Sequence, residues 1–138
     1  MPHLSRYKLS PDQLAHLSER LVTTVLLLPN RNGLRSFLAD LLSPTEQAMI
    51  GKRLMIMLLL KKEYSFVDIS NLLKVSQGTI SSMSERLQRG SRDLELVLDK
   101  LERREDFDKL LTRLGHSFSN AVSRLPKKNG PRWRFFHQ

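Results

Sequence analysis

The sequence predicts an all-α fold, and three observations carry that prediction. No stretch alternates Val, Ile or Thr with polar residues, as a half-buried strand would. Two helix starts are written out as capping boxes, Ser10-Pro11-Asp12-Gln13 and Ser43-Pro44-Thr45-Glu46. Apolar residues then recur three and four positions apart, the spacing that places them on one face of a helix.

The elements follow in order. In the first box Ser10 is the N-cap, Pro11 opens the helix and Gln13 reaches back. Leu14, Leu17, Leu21, Val25 and Leu28 continue the period, and Pro29 stops it. Asn30-Arg31-Asn32-Gly33 reads as a turn, and a short helix is expected over 34–42. The second box opens a helix expected to reach about Lys62. From Ile50 to Leu60 that helix is apolar nearly all round, which means burial on every side. Two readings stand side by side: a central core helix, or a subunit interface. Two short helices follow between Phe66 and Gln88, with Lys74-Val75-Ser76 between them and Gly90-Ser91 after them. A further amphipathic helix carries Leu94, Leu98 and Leu101. The charged run over 102–106 reads as a solvated face in preference to a break, and Phe107, Leu110, Leu111 and Leu114 resume the period. The domain expected is 1–125, all helical, followed by a basic aromatic tail over 126–138 without helical period.

Composition narrows the function classes. The chain has 138 residues, enough for one domain with a real core. It carries 23 Lys+Arg against 14 Asp+Glu, a net charge of +9. That balance favours an acidic partner such as a nucleic acid. The charge is uneven, at +2 over 1–42, +3 over 43–90, −1 over 91–122 and +5 over 123–138. There is no Cys, which excludes disulfides and thiol chemistry. The four His are scattered, so no metal site is expected. No run is long enough to span a membrane, and the N-terminus does not read as a signal peptide. No enzyme, catalytic residue or cofactor is expected. The Asp106–Asp108 acidic pair stands beside cations, and Ser81, Ser82 and Ser84 have no neighbouring His.

The informative segment runs from Ser65 to Met83. A helix-turn-helix needs two short helices in steep contact across a tight turn. Ile69 and Leu73 supply one apolar face, Val75 fills the turn, and Ile80 and Met83 face back. Ser70 is the small residue where the helices touch, and Ser65 and Ser76 can cap them. A left-handed conformation at Lys74 would cost about 1 kcal/mol, or else the turn has another shape. The motif is expected over about 65–89. Its candidate DNA contacts are Ser65, Lys74, Ser76, Gln77, Gly78, Thr79, Ser81, Ser82, Glu85, Arg86 and Arg89. Short polar side chains suit phosphate oxygens and base edges, Gly78 permits close approach, and the helix N-terminus favours a phosphate. In the tail, Lys127, Lys128, Arg132, Trp133 and Arg134 interleave cations with an aromatic ring. They suit an arm on nucleic acid, or rings docked on protein.

Over about 34–90 the chain resembles the Trp repressor family. The resemblance is carried by Leu41-Leu42-Ser43-Pro44-Thr45-Glu46, Gly51-Lys52-Arg53, Glu63-Tyr64-Ser65 and Val75-Ser76-Gln77-Gly78-Thr79-Ile80-Ser81, with one residue fewer than the family pattern between Arg53 and Ser65. It implies an intertwined homodimer with one helix-turn-helix per subunit, repressing transcription at a near-palindromic DNA operator in the bacterial cytoplasm, associated with the nucleoid. Of the family's tryptophan pocket, Arg53 matches a stacking arginine and Ser43 a threonine, making them candidate ligand or phosphate contacts; a buried ion pair is the other role open to Arg53. Ser82 and Met83 replace the second arginine and the small residue after it, which argues against a tryptophan corepressor. Two other classes compete. One is a nucleic-acid adapter, sigma-region-4-like or transposition-associated. The other is a helical protein-interaction module.

Overall fold

The computed structural model describes residues 8–104 and 107–114. Among them are seven helices: α1 (Pro11–Leu27), α2 (Arg31–Leu41), α3 (Pro44–Lys61), α4 (Phe66–Leu73), α5 (Gln77–Gln88), α6 (Arg92–Arg104) and α7 (Phe107–Leu114). No strand occurs among the described residues, and the all-α expectation holds. The chain divides into two compact units, one ending at Gln47 and one beginning at Ala48.

The first unit is built by local capping. Ser10 accepts the Gln13 N–H at 3.2 Å while Gln13 Oε1 accepts the Ser10 N–H at 2.8 Å. The expected turn over 30–33 is instead the start of α2. Asn30 is its N-cap, and Asn30 Oδ1 accepts the Gly33 N–H at 2.9 Å. Asn serves turns and N-caps by the same side-chain acceptor, so the residues alone do not separate the two. A Cβ at Gly33 would stand 3.3 Å from Pro29 Cδ, so glycine lets the preceding proline lie over the first turn. Neither α1 nor α2 contains a buried residue. Leu14, Leu17, Leu21, Val22, Val25, Leu26 and Leu27 are all exposed.

The second unit has a continuous core. Ile56, Leu58, Leu59 and Leu60 of α3 pack with Ile69 and Leu73 of α4, Ile80 and Met83 of α5, Leu98 of α6 and Leu111 of α7. Burial of α3 on every side is corrected by the single chain. Its C-terminal half is enclosed, whereas Ile50 is 53% and Leu54 40% exposed. Helix α3 ends in a Schellman motif with Glu63 at φ 66°. There the Tyr64 N–H reaches the Leu59 carbonyl at 3.0 Å and the Glu63 N–H the Leu60 carbonyl at 2.9 Å.

Of the charged run over 102–106, Glu102, Arg103 and Arg104 belong to α6, Arg103 and Arg104 are exposed, and residues 105 and 106 lie outside the described residues. Glu102 is not on a plain solvated face: its carboxylate lies 3.6 Å from Lys62 Nζ and 4.0 Å from Lys61 Nζ. Lys61 also pairs with Asp99. Burial pushes the Lys61 ammonium below its ordinary range, although the charges of Glu102 and Glu95 pull the other way. These pairs fasten α6 to the end of α3, just before the α4–α5 hairpin.

Candidate nucleic-acid interface

Helices α4 and α5 pack against each other across residues 74–76. Each start is capped by a serine. Ser65 Oγ accepts the Asp68 N–H at 3.1 Å, and Ser76 Oγ accepts the Thr79 N–H at 3.1 Å. Between them Lys74 takes the left-handed conformation, φ 55° and ψ 53°. Of the two shapes open to the turn, the chain adopts the strained one. The strain is offset by a closed set of hydrogen bonds. The Lys74 N–H donates to the Ser70 carbonyl, as does the Val75 N–H at 3.4 Å. The Ser70 hydroxyl returns a bond of 2.6 Å to the Val75 carbonyl. The spacing alone predicts Ser70 only as a small residue where the helices touch; its hydroxyl also ties the turn.

The apolar side of the hairpin is the expected one: Ile69, Leu73, Ile80 and Met83 are buried and Val75 is half-buried. The opposite side carries the predicted contacts. Ser65, Lys74, Ser76, Gln77, Gly78, Thr79, Ser81, Ser82, Glu85, Arg86 and Arg89 are all exposed. They do not present equally free groups. The hydroxyls of Ser76 and Thr79 bond each other at 2.9 Å, and Glu85 lies 3.6 Å from the Arg89 guanidinium. An exposed pair of that kind is worth about 0.3–0.5 kcal/mol and yields readily to a phosphate. Gln77 stands in the first turn of α5, beside Gly78. A Cβ at Gly78 would meet only Ser76 Oγ, at 3.9 Å. Among the described residues nothing requires glycine at this position.

Ser43 and Arg53 fall in different units. Ser43 caps α3: its Oγ accepts the Glu46 N–H at 3.2 Å, and its own N–H donates to Glu46 Oε2 at 2.8 Å. Those bonds hold the Glu46 carboxyl below its ordinary range. Arg53 is half-buried on α3. Lys127, Lys128, Arg132, Trp133 and Arg134 lie outside the described residues. Among the described residues no cluster of His, Cys, Asp or Glu could hold a metal ion. None of the described helices is long and apolar enough to cross a membrane.

A capped pair of short helices closed across a left-handed turn, with an exposed polar face on the second, defines a helix-turn-helix protein. The family model described as Trp repressor protein matches residues 16–102, and the chain belongs to that family of DNA-binding helix-turn-helix regulators. The match is wider on both sides than the resemblance over 34–90. It takes in most of α1 and nearly all of α6. No curated protein and no solved structure shows significant similarity to the chain.

Proposed function

We propose that the chain is a sequence-specific transcriptional repressor that binds a near-palindromic operator as a homodimer, with α5 as the recognition helix. The observation that carries this reading is the division of α5 into a buried face, Ile80 and Met83, and an exposed polar face that begins at its capped N-terminus. The buried face fixes the helix to the core. The exposed face offers Gln77 for a bidentate pair with adenine, and its N-terminal N–H groups for a phosphate. Ser81, Ser82 and Arg86 lie farther along for base edges and backbone.

Dimerisation is supported by the uncovered apolar surface. A leucine-rich helix without one buried residue, together with exposed Ile50 and Leu54, has to be covered to be stable in water. A second copy supplies matching surface. Tryptophan does not fit as corepressor. Ser82 has no guanidinium to stack on an indole, and Met83, only 5% exposed, places its side chain in the core. The DNA-binding form is therefore reached without tryptophan.

Selection of bound duplexes from a random pool tests the reading. A symmetric consensus is expected, its half-sites centred about 10 bp apart, one turn of DNA. Light scattering should give twice 16.0 kDa at micromolar concentration. An asymmetric site bound by a monomer would transfer the chain to the adapter class. Salt-independent or absent duplex binding would leave a protein-interaction module.

A further inference from the structure

The segment containing α6 has a slight acidic excess in sequence, yet the fold separates its charges. Around α6, Leu94, Leu98 and Leu101 form the arc that faces the core, with Leu98 fully buried. Glu95, Asp99 and Glu102, spaced four and three apart, form the next arc. That arc is turned toward α3: Asp99 and Glu102 pair with Lys61 and Lys62, and the charge of Glu95 is felt at Lys61. The remaining outer arc carries Arg92, Lys100, Arg103 and Arg104, all exposed, with Leu96, Val97 and one carboxylate, Asp93; Arg103 stands at its edge, and its charge too is felt at Lys61. Asp99 and Glu102 are engaged within the molecule, and the bases of α6 are exposed.

We propose that this outer face of α6 is a second DNA-contacting surface, one that grips the phosphate backbone without reading bases. The inference rests on the DNA-binding reading above and deepens it. Two features of the face point to a polyanion, beyond the helix dipole that favours Lys100, Arg103 and Arg104 near the C-terminal end. Beyond Asp93 no acidic side chain of α6 shares the arc to neutralise them. The face also belongs to the compact unit that holds α4 and α5. Long Lys and Arg side chains without rigid support suit phosphates and not base edges, so the surface adds affinity and no specificity.

The test is the full chain carrying Lys100→Gln, Arg103→Gln and Arg104→Gln together, titrated with a random duplex and with the selected operator across salt. Each phosphate that is no longer neutralised should flatten the slope of log affinity against log salt by about 0.9. A flattening of about one to three per subunit is expected, with the operator-to-random ratio unchanged. Gln77→Ala, run in parallel, should change that ratio and leave the slope alone. An unchanged slope in a folded dimeric variant, while Gln77→Ala still alters specificity, overturns the α6 surface and leaves the recognition helix standing. Loss of the dimer in the variant also overturns it, because the face is then a subunit contact. If neither variant affects duplex binding, the DNA-binding reading itself fails.

Discussion

Lys74 shows how one residue sets the hairpin. Its left-handed backbone costs about 1–2 kcal/mol for a side chain with a Cβ, and it is held by the bonds that Ser70 makes to the turn. Lys74→Gly removes that strain, while the freer unfolded chain takes back part of the gain. The expected outcome is a rise of about 0.5–1 kcal/mol in stability, read as a higher urea midpoint at unchanged slope. A lower midpoint would mean that the Lys74 side chain contributes more than its backbone costs. Gly78 is the opposite case, a glycine that nothing among the described residues requires. Gly78→Ala should leave folding unchanged or improve it by about 0.5 kcal/mol, since its backbone is helical and the space around it open. Duplex affinity should fall at the same time, because an added methyl group keeps the start of α5 from its phosphate. Unaltered affinity in the Ala variant would mean that no backbone approaches there. Position and type of both residues are legible in the sequence. The bond from Ser70 to Val75 is not, because it depends on how two helices meet.

At the scale of elements, what can be read from sequence is whatever is local. The caps at Ser10, Ser43, Ser65 and Ser76 all form as their spacing predicts. The start of α2 reads as a turn because Asn30 offers the same acceptor to a turn and to a helix. The link between α3 and α6 escapes the sequence altogether. It joins Lys61 and Lys62 to acids more than thirty residues away, and only the spacing of Glu95, Asp99 and Glu102 hints at one shared face. Two measurements probe these elements. Asp99→Asn leaves the buried Lys61 ammonium with weaker company, and should cost about 1–2 kcal/mol, seen as a lower urea midpoint. The Ser43–Glu46 cap should respond to acid. The Glu46 carboxyl ionises more readily folded than unfolded, so its stabilisation is full above its ordinary value of 4.5 and is lost as pH falls through the lower folded value. The stability difference between wild type and Glu46→Gln should therefore hold steady from pH 7 to about 5 and shrink below 4.5. A difference constant down to pH 3 would remove the charge from the cap.

At the scale of the whole molecule the question is how its +9 charge meets DNA. The family match ends at residue 102, so the helix-turn-helix and most of α6 lie inside it, and α7 and everything after it lie beyond. Helix α7 is nevertheless built into the core through Leu111, 3% exposed. From 123 to 138 a segment carries five cations and no acid, and it holds Trp133, the only tryptophan. We propose that it binds DNA phosphates in addition to those held by α5. Removing residues 126–138 deletes Lys127, Lys128, Arg132 and Arg134, while the core residues among those described lie upstream. The truncated chain should fold and associate as the full chain does. Its slope of log affinity against log salt should be flatter by about one to two phosphates per subunit, at about 0.9 each, with four as the ceiling. The weakening should be equal for operator and random duplex, because phosphate contacts carry no sequence information. Stacking of Trp133 on bases would quench its fluorescence as duplex is added to the full-length protein. Quenching with a flatter slope after truncation assigns the segment to DNA. An unchanged slope with unchanged fluorescence assigns it to protein contacts, and leaves the duplex to α5 and the outer face of α6.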